Sequence, residues 1–380
     1  MLISNSLKDE LKNILIHLIR IPSENPPGKT EQIVDYLRSK IFYEKEGFTI
    51  EVITHKKNNI MLHNIITRIG TGNNKIILSG HLDVVPIGDI SNWNYPPFSA
   101  KLFNGRLYGR GSADMKGGLT SLIGVLKTLA KNTSFLKKYE LIFLGTADEE
   151  AGMSGSLTLQ KIGIIDGADL LIIGEPTNLN VGIAEKGLLW TTLKIYGKSA
   201  HGSTPEQGVN AIEGSLNILP QLHTCLDNKK NPILGYSTLN VGKIRGGTKI
   251  NIVPDYVELE VDFRLIPEQN HLSVINKLTE INLETCKIDV KITNNLPALE
   301  TDPNHPFIKN LQKISQSERI GLSYATDAAK LIITENPIPF MIYGPGNPND
   351  VHKINESISF DQVYKATENL SVALLKTYLT

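Results

Sequence analysis

Residues 75–86 read Lys-Ile-Ile-Leu-Ser-Gly-His-Leu-Asp-Val-Val-Pro. A run of apolar and small residues leads into His81 and Asp83, two positions apart. An unbroken apolar run is the pattern of a strand covered on both faces, as in a parallel sheet. In an extended chain residues i and i+2 project to one side. A strand predicted over 75–85 therefore offers an imidazole and a carboxylate together at its end, where open α/β sheets place their chemistry.

Working outward, the first half of the chain alternates between the two periods. Strands are predicted over 60–69, 75–85, 139–147 and 169–174, and helices over 30–44, 116–131 and 154–162. The order implies a mostly parallel sheet with helices on both faces. After Gly187 the pattern changes. A half-exposed strand at 188–197, a helix at 207–225, strands at 236–244 and 250–264 joined through Gly246-Gly247, a helix at 269–284 and a strand at 287–293 give the order β-α-β-β-α-β of a small two-layer sandwich. Asn295-Leu296-Pro297 reads as the exit. The expected organisation is one catalytic domain, residues 1–187 and 297–380, interrupted by an inserted domain, 188–296.

Composition narrows the function. The chain has 380 residues, enough for two domains, with 41% hydrophobic and 21% charged residues and a formal net charge of zero. A balanced charge argues against a nucleic-acid or anionic-membrane partner, both of which need a basic surface. No apolar run reaches the ~18 residues that cross a bilayer. The amino-terminal segment has Leu7, Leu11, Ile14, Leu15 and Leu18 at helical spacing, with Ser6 and Asp9 as a predicted capping box, and is not a signal peptide. Cys225 and Cys286 lack metal-type spacing and read as reduced thiols of a cytoplasmic protein.

Four more clusters carry potential chemistry. Gly109-Arg110-Gly111-Ser112-Ala113-Asp114-Met115-Lys116-Gly117-Gly118 opens a helix, and its glycines meet neither the dinucleotide nor the P-loop spacing. Thr146-Ala147-Asp148-Glu149-Glu150-Ala151-Gly152 sets three adjacent acids at a strand end, where they repel unless a cation or proton compensates. Gly174-Glu175-Pro176-Thr177 marks another strand end. His352 and Glu356 follow the turn Gly344-Pro345-Gly346. Two histidines with several carboxylates, and no cysteine, suit Zn²⁺, Co²⁺ or Mn²⁺ in a hydrolytic site. A shared carboxylate would hold two ions ~3.5–4 Å apart, and one member of the Glu149-Glu150 pair is left to act as base.

These motifs, with Trp93-Asn94-Tyr95-Pro96-Pro97-Phe98 between them, resemble the co-catalytic zinc amidohydrolases and peptidases, a family that includes acetylornithine deacetylase, succinyl-diaminopimelate desuccinylase, aminoacylase and carboxypeptidase G. The resemblance runs through nearly the whole chain, nearest the desuccinylase and acetylornithine deacetylase branch. It implies a mixed, mostly parallel α/β sheet flanked by helices, with an inserted ferredoxin-like α+β lid and dimerisation domain. It implies two Zn²⁺ ions, with His81 and Glu175 on one, Glu150 and His352 on the other and Asp114 bridging, and a cis Asp114-Met115 bond. Glu149 would be the general base. Asp83 would accept a hydrogen bond from His81. His201, in Ser199-Ala200-His201-Gly202, would hold the oxyanion, often from a partner subunit, implying a homodimer. Asn251, Arg264, Thr326, Lys186 and Gly344 would contact substrate, Arg264 through a carboxylate.

The implied reaction is hydrolysis of a small N-acyl amino acid, N-succinyl-LL-2,6-diaminopimelate or N-acetylornithine. A di- or carboxypeptidase of the same family is the alternative, and a non-catalytic binding protein on this fold a remoter one. Glu185-Lys186-Gly187 and Tyr324-Ala325-Thr326-Asp327-Ala328 depart from the desuccinylase pattern of an arginine pair and Gly-Gly-Thr-Ser-Asp-Gly, which leaves the acyl group open.

Overall fold

A computed structural model describes residues 3–333 and 337–379. The chain forms two compact units, residues 1–183, 301–320 and 326–380, and residues 184–300 with 321–325.

The first unit is built on a mixed sheet in the order β1 (Thr49–Lys57), β2 (Ile60–Ile69), β6 (Tyr139–Thr146), β3 (Asn74–His81), β7 (Ala168–Ile173), β17 (Phe340–Ile342) and β8 (Val181–Glu185). β6, β3, β7 and β17 are mutually parallel. Their apolar stretches are fully buried: Ile76, Ile77 and Leu78 of β3, Leu141 to Leu144 of β6 and Leu170 to Ile173 of β7 have no exposed surface. This is the expected parallel core. β1 was not expected. Thr49–Lys57 has no buried residue; it is held by a tight antiparallel pairing with β2 through Asn58 and Asn59, both at positive φ.

Register brings the active strand ends level. His81 pairs with Thr146, and Ser79 and Ile342 pair with Ile173. The residues that leave β3, β6, β7 and β17 therefore emerge at one edge of the sheet, the edge where α/β sheets bind ligands. β3 stops at His81, short of the expected residue 85. Beyond it the chain exchanges its hydrogen bonds for others: Leu82 N–H donates to the Thr146 carbonyl, Val84 N–H to the Ser23 carbonyl, and Asn25 N–H back to the Val84 carbonyl.

Helices cover this sheet: α1 (Asn5–Arg20), α2 (Glu31–Tyr36), α3 (Gly117–Leu129), α4 (Thr133–Lys138), α5 (Ser154–Lys161), α8 (Pro306–Ser315), α9 (Ala328–Leu331) and α10 (Phe360–Tyr378). α1 begins two residues earlier than its expected capping box: Ser4, in extended conformation, caps Leu7 N–H, and Ser6 lies inside the first turn. A small sheet joins β4 (Lys101–Phe103), β5 (Arg106–Tyr108) and β18 (Ser357–Ser359).

The second unit is a four-stranded antiparallel sheet in the order β12 (Thr238–Gly246), β13 (Tyr256–Leu265), β9 (Gly187–Tyr196) and β14 (Lys287–Leu296). α6 (Ala211–Thr224) and α7 (His271–Thr279) share one core with it: Ile218 and Leu222 of α6 and Val274 and Leu278 of α7 pack on Leu193, Ile195, Leu259 and Phe263. β13 alternates strictly between buried and half-buried residues, as a sheet covered on one face must. The expected turn at Gly246-Gly247 is instead a longer irregular stretch, with β13 starting only at Tyr256. Short pieces β10 (Lys230–Asn231), β11 (Gly235–Tyr236), β15 (Leu299–Glu300) and β16 (Arg319–Leu322) complete the strands.

α3 approaches the ends of β3 and β7 through Gly118. A Cβ there would sit 1.8 Å from the Gly174 carbonyl oxygen, one residue before Glu175. Backbone on both sides cannot yield as a side chain can. Gly118→Ala should lower the unfolding free energy by about 1–3 kcal/mol. Thermal and denaturant melts check this, and an unchanged midpoint would contradict the close approach.

Candidate metal centre

Five of the residues singled out by their motifs converge in the first unit. His81, the last residue of β3, is buried. Its Nε2 lies 3.0 Å from Asp114 Oδ1 and 3.5 Å from Glu175 Oε1. The other oxygen of Asp114, Oδ2, lies 3.1 Å from His352 Nε2, which is also 3.1 Å from Glu150 Oε2. One carboxylate thus spans two imidazoles, each with a second carboxylate of its own. The Asp114-Met115 peptide is cis, and His352 takes the left-handed conformation, φ 63°.

The hydrogen bonding at His81 fixes its chemistry. Nδ1 lies 2.9 Å from the backbone carbonyl of Asp83. A carbonyl only accepts, so Nδ1 carries the hydrogen, and a neutral ring then turns the lone pair of Nε2 toward Asp114 and Glu175. Electron-rich atoms at 3.0 Å call for a cation between them. His352 Nε2, with at most one hydrogen, faces two carboxylate oxygens, and Glu150 Oε1 is buried without a hydrogen-bond partner. His81, Asp114 and Glu150 offer ligand atoms that all lie within 4.8 Å of one another. Imidazole nitrogen and carboxylate oxygen, with no thiolate, are the donors of catalytic zinc and its substitutes. The residues fit a metal.

Without a metal, protons must do its work. Burial disfavours the imidazolium of His81, but Glu175 and Asp114 outweigh it and hold the ring well above its ordinary pKa. Hydrogen bonds to Asp114 and Glu150 carry His352 up to about 10. Burial resists ionisation of Asp114, yet hydrogen bonds from His352 and His81 pull its pKa below the usual carboxylate range. Burial, with the neighbouring acids adding to it, pushes Glu149 and Glu175 well up and Glu150 up.

Asp83 corrects an expectation. Its carboxylate is not the acceptor for His81: Oδ1 stands 3.9 Å from Nδ1, and the main-chain carbonyl takes the hydrogen bond. Because β3 ends at His81, the chain turns and the carboxylate is directed elsewhere. Oδ1 accepts from Glu149 N–H and Oδ2 from Glu150 N–H, each at 3.2 Å. Asp83 holds the acidic loop.

Two positioning residues were not assigned a role from the sequence. Glu356, fully buried, accepts from Ala113 N–H (2.7 Å) and Asp114 N–H (3.0 Å) with Oε1, and from Gly111 N–H (3.0 Å) and Arg110 Nη1 (2.7 Å) with Oε2. Arg110 lies over the Trp93 ring at 5.2 Å and donates to the Lys353 carbonyl. Arg110 stands in the glycine-rich cluster at 109–118 and Glu356 four residues after His352, but no local spacing joins them.

The remaining expected residues stand differently. Thr326 has no exposed surface, against a pocket-lining role, and its neighbour Asp327 is taken up by Thr146 Oγ1 and by Ser156 Oγ at 2.6 Å. Burial raises Asp327 to about 6 despite these bonds. Gly344 packs on the strand end, its N–H donating to Thr177 Oγ1 at 3.2 Å. His201, Asn251, Arg264 and Lys186 belong to the second unit. His201 is exposed, with Nδ1 2.7 Å from Ser203 Oγ. Asn251 is exposed and its carbonyl accepts from Gly202 N–H. Arg264 Nε donates to Asp262. Lys186 donates to the Tyr236 carbonyl, and burial together with the nearby Arg264 lowers its pKa.

Known proteins resemble this chain in sequence and in fold. Residues 77–376 match the model of peptidase family M20/M25/M40. A probable succinyl-diaminopimelate desuccinylase of Staphylococcus aureus is 30% identical, the match covering 93% of each chain. An acetylornithine deacetylase of Vibrio atlanticus is 30% identical over 88% of this chain and 89% of its own. Among solved structures, an M20 family metallo-carboxypeptidase from Sulfolobus solfataricus shares the fold at a TM-score of 0.77 and 21% identity, covering 97% of this chain and 99% of its own. A dinuclear metal-binding M20 peptidase of Bacillus subtilis does so at 0.67 and 17%, covering 98% and 99%. The chain belongs to the M20/M25/M40 peptidase family and is a hydrolase acting on amide bonds.

Proposed function

We propose that this hydrolase removes the acyl group from a small N-acyl amino acid, with N-succinyl-LL-2,6-diaminopimelate and N-acetylornithine as the leading substrates. One observation carries the reading: Asp114 is set between two imidazole nitrogens at 3.0 and 3.1 Å, each with its own further carboxylate, beside an acid that has no place in the ligand set. His81 and Glu175 would hold one divalent cation, His352 and Glu150 a second, and Asp114 both. Zn²⁺ fits these donors, with Co²⁺ or Mn²⁺ as substitutes. The names of the relatives at 30% identity support the substrate class.

Bound cations would lower the pKa of water toward ~7 and polarise the scissile carbonyl. Glu149 takes a proton from the attacking water at its carboxylate and returns it to the leaving amine nitrogen. Burial and the surrounding acids raise its pKa, which makes it a stronger base than a solvated glutamate. Arg264 is suited to a substrate carboxylate because Asp262 engages it through Nε, away from the fork of its two terminal nitrogens, and Lys186 places a second cation near it.

We also propose a cytoplasmic homodimer. Cys225 and Cys286 are unpaired, and no helix among the described residues is long and apolar enough to cross a membrane. On the second unit, Ile212, Leu216 and Leu219 recur on one face of α6 at 37–58% exposure, beside Ile244 on the edge strand β12. An apolar helix stripe next to an unpaired strand edge is a surface that association covers.

Three outcomes are expected. With zinc or cobalt, the enzyme should release primary amine from succinyl-diaminopimelate or acetylornithine faster than from dipeptides, and Glu149→Ala should keep the metal yet lose at least 10²-fold in kcat, within the range of a general base. Preference for dipeptides would replace the substrate, and an active Glu149→Ala enzyme would remove the base. The metal-free protein should lose thermal stability as the pH rises. His352 has a folded value of about 10 against 6.5 ordinarily, so its stabilisation is full below 6.5 and lost toward 10, and the raised acids act in the same direction. Melts between about pH 6 and 9 should show that fall, and added metal should largely abolish it by replacing the protons. Finally, sedimentation should give a dimer that Leu216→Asp converts to a monomer at an unchanged melting temperature; a monomeric wild type ends the dimer reading.

A further inference from the structure

The acids at 148–150 are held from below by one amide group. Asn25 is buried, 6% exposed, in the segment that hydrogen-bonds the chain just after β3. Its Nδ2 donates to Asp83 Oδ2 at 2.8 Å and to Asp148 Oδ1 at 3.0 Å. An amide nitrogen has two hydrogens, and both are used. The reverse orientation would turn Oδ1 toward two carboxylates, so the chemistry fixes which way the amide faces. Asp83, fully buried, passes the restraint upward: its two oxygens accept the N–H groups of Glu149 and Glu150. Asp148 restrains the same loop from its other side. Its carboxylate takes Lys57 Nζ at 2.6 and 2.8 Å, Ser154 Oγ at 2.5 Å and Ser154 N–H at 3.3 Å.

The surroundings leave room for this group and little else. A Cβ on Gly28 would lie 3.0 Å from Asn25 Cγ and Oδ1. Ser23 Oγ donates to the Leu82 carbonyl at 2.8 Å, and Asn25 N–H to the Val84 carbonyl at 2.8 Å, so the Asn25 backbone is fixed against the segment that carries Asp83. Asn25 touches none of the groups that would hold metal or take a proton from water.

We infer that Asn25 is a positioning residue for the hydrolysis: by bridging Asp83 and Asp148 it sets the backbone of Glu149 and Glu150, and through it the aim of the base carboxylate. The inference rests on Glu149 being that base. Removing both donors leaves two buried carboxylates each short of a hydrogen bond and close enough to repel, and the turn that they hold shifts. A misplacement of about 1 Å at a reacting group costs on the order of 10²-fold in rate, whereas the binding of substrate by other residues is untouched.

The test compares Asn25→Ala and Asn25→Ser with the wild type, each loaded with zinc and with metal content measured on the same samples. Asn25→Ala should lower kcat roughly 10- to 100-fold at full metal content, with KM within about threefold. Asn25→Ser, which keeps one donor, should fall between. A role confined to stability would lower the yield of folded, metal-loaded protein and leave turnover per loaded site unchanged. Wild-type kcat per loaded site in the alanine variant overturns the inference, as does a loss that follows metal content or lies wholly in KM. Should the alanine variant not fold, the serine variant decides: an intermediate kcat at full metal supports the assignment and a wild-type kcat overturns it. A wild type inactive on every N-acyl amino acid and dipeptide would instead bring down the reading of the site, which separates the two failures.

Discussion

The carboxylate of Asp114 faces imidazole nitrogens on both sides, and the chain around it is arranged to make that arrangement tolerable. Four acids gathered around one buried ring and one exposed ring repel one another and lose hydration. Such a cluster is stable only when cations or protons hold it, and the raised pKa values of His81, His352, Glu149 and Glu175 are the protein's response when no metal does so. The same charges that burden the metal-free fold would attract a divalent cation. Metal affinity, proton binding and folding would then be one linked equilibrium.

What keeps the cluster from relaxing is a set of buried carboxylates outside it. Glu356 binds three backbone N–H groups of the Gly111–Asp114 turn and the guanidinium of Arg110. It sits four residues after His352, so it ties two site residues from remote parts of the chain to each other. Asp83 does the same for the Glu149–Glu150 turn, and Asp327 grips Thr146 and Ser156 on either side of that turn. Each of these acids accepts from several donors, which is what allows a carboxylate to stay buried.

The parallel core and the convergence of His81, Asp114, Glu150, Glu175 and His352 were legible because their motifs stand at the ends of elements that obey local rules. Buried strands read as apolar runs, and the chemistry follows their ends directly: His81 closes β3, Glu175 follows β7, and the acids follow β6. The β-α-β-β-α-β order of the second unit was legible for the same reason, as its strands alternate and its helices keep their period. β1 was not, because Thr49–Lys57 is stabilised by pairing with β2 rather than by a buried face of its own. Nor was the task of Asp83. A His-x-Asp pair on a continuous strand points both side chains one way, but β3 ends at His81, and the hydrogen bonds that replace the ladder come from Ser23 and Asn25, some sixty residues earlier. The partners of Glu356, and Asp148 as a partner of Asn25, lie at still longer separations, and no local spacing encodes them.

That division has a physical origin. A ligand must be a particular residue type at the end of an element, so its constraint is written where it stands. A supporting residue must only find a donor or acceptor at a place that the finished fold creates. The support here is drawn from residue 25 to residue 356, which means that the site cannot form from any single supersecondary piece. His81 and Glu175 come level only when β3 and β7 are in register, and Asp114 meets His352 only when Glu356 has closed on the turn at 111–114. The apolar sheet therefore has to supply the free energy that the cluster costs. The charged cluster, unfavourable on its own, rests on a core stable enough to hold it, and protons or a bound cation would make it favourable.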